Sequence, residues 1–172
     1  MTTQIITVRG EIQWAKVFPE NRDMFEYNEE TKAFDKPSST DGKYSVNVAL
    51  DMEEFRKLKR SGSMSCKHSK ENEVGLDVVK LSRPHVKRGA GGKVLEWAGG
   101  PPKVVDVNDE PWDFDTDGFI GNGSDVEVTV AVYTTAFSPG TRLEKIKVIT
   151  NVPIEPVVGA PEAEPTKEEI NF

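Results

Sequence analysis

A mainly β domain with one short helix, long polar loops and a disordered C-terminal tail is the architecture this sequence predicts. Five segments alternate apolar and polar side chains with a period of two and are rich in β-branched residues, as half-buried strands are. Only one stretch carries convincing helix start and stop signals. The connections are long, and the final residues are too acidic and proline-broken to bury a core.

The first strand runs from Ile5 to Phe18, and strict alternation puts Trp14, Lys16 and Phe18 on one face with Ala15 and Val17 on the other. A long loop, Pro19 to Gly42, follows and holds Phe25, Tyr27 and Phe34 among charges. The second strand is Lys43 to Leu50. Asp51 then caps a short helix from Met52 to Ser61, with glutamates in its first turn and bases in its last, as the macrodipole prefers. Phe55 and Leu58 of that helix face the core. The third strand spans Glu73 to Val86, and the loop after it, Lys87 to Pro102, carries Gly89-Ala-Gly-Gly, Trp97 and Gly99-Gly-Pro-Pro. Gly121-Asn-Gly123 suits a tight turn with positive φ ahead of the fourth strand, Asp125 to Thr135. The fifth strand, Thr141 to Ile154, ends among Pro153 and Pro156. Five strands, one helix and long loops fit a five-stranded barrel of OB type, with an open sandwich as the alternative. Residues 1–158 make up that domain and residues 159–172 a flexible acidic tail.

The chain has 172 residues, enough for one cored domain and a tail. No apolar run approaches the ~20 residues that span a bilayer. The N-terminus has no basic region ahead of an apolar stretch, so cytoplasmic residence is expected. Cys66 is the only cysteine, which excludes an intrachain disulfide and a thiolate zinc cage.

The net charge of −7 hides a sharp partition. Residues 56–103 carry 12 Lys/Arg against 4 Asp/Glu, a local balance of +8, while both flanks are acidic. In the tail, Glu162, Glu164, Glu168 and Glu169 precede an apolar end, Ile170 and Phe172. That pattern suits a peptide that docks in a basic, apolar-floored pocket, or one that competes with nucleic acid for a cationic groove.

Aromatics interleave with bases elsewhere. Trp14, Lys16 and Phe18 share the first strand, Tyr27 and Phe34 the first loop, and Lys80, Arg83, Lys87, Arg88, Lys93 and Trp97 the third strand and its loop. Single-stranded nucleic acid requires this mixture, cations along its phosphates and π faces for its unpaired bases. The competing role for each ring is core packing, which is the expectation for Tyr44 and Tyr133.

Asp113, Asp115 and Asp117 lead into Gly118 in the manner of a calcium loop, but Ser124 stands where a bidentate glutamate is needed. The same carboxylates frame two alternative functions, a metal-dependent nuclease and a calcium-stabilised protein-interaction module. Gly89 to Lys93 lacks the glycine spacing and hydroxyl of a phosphate loop. Cys66, His68 and His85 are too sparse for zinc, and no nucleophile–base pairing supports catalysis, so neither metal nor cofactor is expected.

Four features together resemble the bacteriophage single-stranded DNA-binding proteins of the short-tailed-phage replication type. They are Trp14-Ala-Lys-Val ahead of a proline, Gly42 to Asp51 ahead of a short helix, Gly118-Phe-Ile-Gly-Asn-Gly-Ser124 ahead of a long strand, and the acidic tail ending in Phe172. The resemblance implies an OB-fold that binds single-stranded DNA without strong sequence preference and has no enzymatic activity. It further implies a tail that screens the groove and contacts replication proteins such as polymerase and helicase/primase. Homodimerisation, and residence in the cytoplasm of an infected bacterial host, follow from the same resemblance.

Overall fold

A computed structural model describes residues 3–135 and 139–152, and the expected tail, residues 159–172, and the expected domain boundary at 158 lie outside these. In chain order the elements are β1 (Thr3–Lys16), β2 (Phe25–Asn28), β3 (Ala33–Pro37), β4 (Lys43–Leu50), α1 (Met52–Arg60), β5 (Lys70–Glu71), β6 (Asp77–Pro84), β7 (Lys103–Val105), α2 (Phe114–Asp117), β8 (Ser124–Tyr133) and β9 (Gly140–Thr150). One sheet of seven strands has the order β5-β6-β4-β1-β8-β9-β7, and β2 and β3 form a separate ribbon. The five expected strands are its central run, β6-β4-β1-β8-β9, curved into an OB-type barrel. The short strands β2, β3, β5 and β7, and the helix α2, were not expected.

Alternation explains the core. On β8, Val126, Val128, Val130 and Val132 point inward while Asp125, Glu127 and Thr129 lie at least partly in solvent. Val46, Val48 and Leu50 of β4, Val79 and Leu81 of β6, and Val8 and Ile12 of β1 meet them. Each fully buried side chain of this size contributes about 1.5–3 kcal/mol of transfer free energy. Helix α1 closes one end with buried Leu58 and half-buried Phe55, and the Asp51 carboxylate accepts the Glu54 N–H at 2.9 Å. Its side chains also serve the free edge of β1: Glu54 accepts the Arg9 N–H at 2.8 Å and Lys57 donates to the Thr7 carbonyl at 3.2 Å.

Strand β1 serves both halves of the barrel. Thr3 to Ile12 pair with β8, and Glu11 to Lys16 pair with β4. Gly10 lies at the handover, where a Cβ atom would run into the Ala49 carbonyl oxygen. Only glycine permits that approach.

Among the described residues, three register shifts interrupt the seven-stranded sheet, and two of them set which side chains reach the core or the surface near the site. On β1, Trp14 and Ala15 stand opposite Val46 alone, and Trp14 takes φ +51°, an uncommon conformation for a bulky residue. Asn122 Oδ1 accepts the Trp14 N–H at 2.7 Å and holds the bulge. On β9, Lys145 pairs with Thr129 and Leu143 with Val130, leaving Glu144 as the extra residue. Leu143 and Ile146 therefore both reach the core despite their odd spacing.

No ladder joins β6 to β9 among the described residues, so the barrel is open along that seam. Arg83 of β6 bridges it. Its Nη1 donates to the Leu143 carbonyl at 3.2 Å and lies 3.4 Å from Glu144 Oε1. Its Nε donates to the Gly100 carbonyl at 2.8 Å, and Nη2 to those of Gly99 at 2.8 Å and Trp97 at 3.3 Å. A guanidinium has five N–H donors, and every one has a partner here. Burial lowers the Arg83 pKa below the ordinary guanidinium value, and Glu144 opposes that shift. Arg83→Ala would leave buried carbonyls unpaired and Glu144 with Arg142 as its remaining cation, and should destabilise the fold by about 3 kcal/mol in urea denaturation. A loss below about 1 kcal/mol would mean that the seam holds without it.

Candidate nucleic-acid interface

The ribbon β2–β3 buries little of its own surface. Phe25, Tyr27 and Phe34 are exposed, Phe34 to 72%, and Tyr27 meets Phe34 edge-on at 5.3 Å between ring centroids. An isolated two-stranded ribbon is marginal in water, so its attachments matter. Asp23 and Lys43 exchange backbone hydrogen bonds at 2.9 Å. Glu26 accepts from the Ser39 N–H at 2.8 Å and its hydroxyl at 2.9 Å, and the backbone bond leads in holding the Glu26 carboxyl below its usual pKa.

Between the ribbon and the barrel lies a cleft of about 830 Å³. Lys16 of β1, Lys43 of β4 and Lys80 of β6 line one part, and Phe25, Tyr27 and Phe34 another. Asp23 pairs with Lys16 at 2.6 Å, whereas Lys43 and Lys80 enter no ion pair among the described residues. The arrangement provides exposed π faces beside two lysines outside any close ion pair, with Glu26 also in the lining, its carboxyl pKa lowered first by the Ser39 backbone bond and in part by Lys43.

A second cluster follows β6. The loop folds back as a narrow hairpin in which the Gly89 N–H donates to the Lys93 carbonyl and the Leu95 N–H to that of Lys87, each at 2.8 Å. Lys87, Arg88 and Lys93 are exposed on it. Trp97 is 66% exposed, and the Arg142 guanidinium lies 5.0 Å from its ring centroid.

Of the expected contact residues, Lys16, Tyr27, Phe34 and Lys80 meet in the cleft, and Lys87, Arg88, Lys93 and Trp97 in the loop cluster. Trp14 is exposed beside a separate apolar depression of about 380 Å³, which shares Lys16 with the cleft. Two expectations are corrected. Phe18 is buried, because β1 ends at Lys16 and the alternation does not extend to it: Phe18 leads into a short turn at Pro19–Asn21 and packs on Phe114 at 4.9 Å and Phe119 at 6.1 Å. Arg83 is buried in the barrel seam, so its charge is spent on carbonyls and Glu144 rather than offered at the surface. The core assignment of Tyr44 stands: it is buried, and its hydroxyl lies 2.7 Å from His85 Nδ1.

The Asp-rich segment works structurally. Asp113 caps α2 through the Asp115 N–H at 3.1 Å and the Thr116 hydroxyl at 2.7 Å, and the Thr116 bond leads in lowering its pKa. Trp112, Phe114 and Phe119 pack from this segment against the core. No three His, Cys, Asp or Glu side chains converge as a metal site among the described residues. Gly123 takes φ +92°, as the expected turn requires.

Sequence reasoning missed Lys43, which the antiparallel pairing of β4 with β6 brings into the cleft, and Arg142, which reaches Trp97 only once the sheet has curved. The position of Lys43 at the head of a strand directly after a loop was the one available signal.

No protein-family model matches the chain, and no curated protein matches it in sequence. Solved structures do resemble it. Gp2.5, the single-stranded DNA-binding protein encoded by bacteriophage T7, superposes with a TM-score of 0.53 at 15% identity, covering 99% of this chain and 98% of that one. The C-terminally truncated single-stranded DNA-binding protein from bacteriophage Enc34 gives a TM-score of 0.50 at 10% identity, covering 87% of this chain and 88% of that one. At such identities the likeness is one of fold, and it extends over nearly the whole chain.

Proposed function

We propose that this chain is a non-enzymatic, sequence-tolerant single-stranded DNA-binding protein of phage DNA replication and recombination. The observation that carries the reading is the cleft, where Phe25, Tyr27 and Phe34 stand exposed beside Lys43 and Lys80. Unpaired bases stack on such rings at roughly 1–3 kcal/mol per base, while lysines follow the phosphates. A duplex keeps its base faces covered and gains only the charge contacts. The fold shared with proteins described as phage single-stranded DNA-binding proteins supports this reading. Homodimerisation and residence in the host cytoplasm belong to the same proposal.

Titration with oligo(dT) and with duplex DNA at two salt concentrations tests it. If Lys43, Lys80, Lys87, Arg88 and Lys93 each neutralise one phosphate, log K should fall with log salt at a slope of about −3.5. Equal affinity for duplex and single strand, or a flat salt response, would contradict the reading.

The acidic segment adds a second part. Glu162, Glu164, Glu168 and Glu169 would compete with phosphates for the same cations, and Ile170 and Phe172 would anchor replication proteins such as polymerase or helicase/primase. Deleting residues 159–172 should tighten DNA binding most at low salt, where screening is least, and should abolish partner binding. Unchanged low-salt affinity with intact partner binding would leave the segment a solubilising extension.

A further inference from the structure

We propose that Arg142 is a positioning residue that holds Trp97 as a platform for base stacking, an inference that rests on the single-stranded DNA reading. Two arginines and one carboxylate fix this tryptophan. Its backbone carbonyl accepts from Arg83 Nη2 at 3.3 Å, so its place in the chain is set by the barrel seam. Its ring lies against the Arg142 guanidinium, 5.0 Å from the centroid, and the same guanidinium lies 5.3 Å from the Tyr133 ring. Glu144, the extra residue of the β9 bulge, contacts Arg83 through Oε1 and Arg142 Nε through Oε2.

The consequence is a pedestal. A planar guanidinium stacks on an indole with area and directionality that an ammonium lacks. Arg142 is only 14% exposed in its side chain and sits against Glu144, so it is poorly placed to meet phosphate itself. Trp97 remains 66% exposed despite this support. A large exposed ring locked from beneath loses little rotamer freedom when a base stacks on it, which is the advantage of preorganisation.

The test is a double-mutant cycle on the full chain with fluorescein-labelled oligo(dT), read by anisotropy across a salt series, with folding checked by circular dichroism. Trp97→Ala should weaken binding about ten-fold, the loss of one stacked base. Arg142→Gln should weaken it nearly as much, the double variant should be no worse than about two-fold beyond either single one, and the salt slope should be unchanged. Losses that multiply, or a folded Arg142→Gln protein with wild-type affinity, would overturn the proposal. So would a slope reduced by about 0.7, since that marks direct phosphate contact by Arg142. If Arg142→Gln does not fold, Arg142→Lys carries the test, because it keeps the charge beside Glu144 without the flat surface. Partial loss is then expected, and wild-type affinity overturns the proposal. Failure of the wild-type protein to bind oligo(dT) overturns the single-stranded DNA reading as well, whereas normal wild-type binding with indifferent Arg142 variants overturns this inference alone.

Discussion

Arg83 joins what the backbone leaves open. Strands β6 and β9 face each other without a ladder, and one guanidinium spans the gap with contacts to four carbonyls and to Glu144. A buried charge persists only when its donors are satisfied, and this one is saturated. Because three of those carbonyls belong to Trp97, Gly99 and Gly100, the contact that bridges the open seam also fixes the loop that carries the exposed tryptophan. Fold and candidate site thus share an anchor.

The same economy appears in the charge distribution. The basic middle of the sequence does not become one basic surface. Arg83 goes into the seam, and Lys57, Lys59 and Arg60 sit in the last turn of α1, where cations oppose the helix dipole. What remains near the candidate interface is Lys80, Lys87, Arg88 and Lys93, joined by Lys43 from another strand. The net charge of −7 is compatible with such local groups of cations because Coulomb interactions between exposed charges are screened within about 10 Å.

How much of this was legible depended on whether a physical signal is periodic. The valine alternation of β8 and the run Lys43–Leu50 were readable almost to the residue, and the Asp51 cap announced α1. The ribbon β2–β3 was not, since strands of 4 and 5 residues among charges carry too little alternation to stand out from a loop. Phe18 was misplaced because the strand ends at Lys16, before the apparent alternation runs out, and the rings it packs on, Phe114 and Phe119, lie far along the chain. Arg83 was misplaced for a related reason. A guanidinium that bonds only to distant carbonyls has the same local sequence as one that faces solvent. The aromatic–lysine mixture of the site was visible in composition, but only the fold shows that Lys43 belongs to it and Phe18 does not.

The central claim is that bases stack on rings the protein leaves exposed, while cations beside them hold the phosphates. Two-dimensional NMR of the aromatic and indole resonances, followed during addition of oligo(dT), addresses it most directly. Large shifts at Phe25, Tyr27, Phe34 and the Trp97 indole, with little change at buried Phe18 or at Trp112 beneath the Asp-rich segment, are the predicted result. Shifts confined to α1 and the Asp113–Asp117 segment, with the cleft aromatics unmoved, would contradict it.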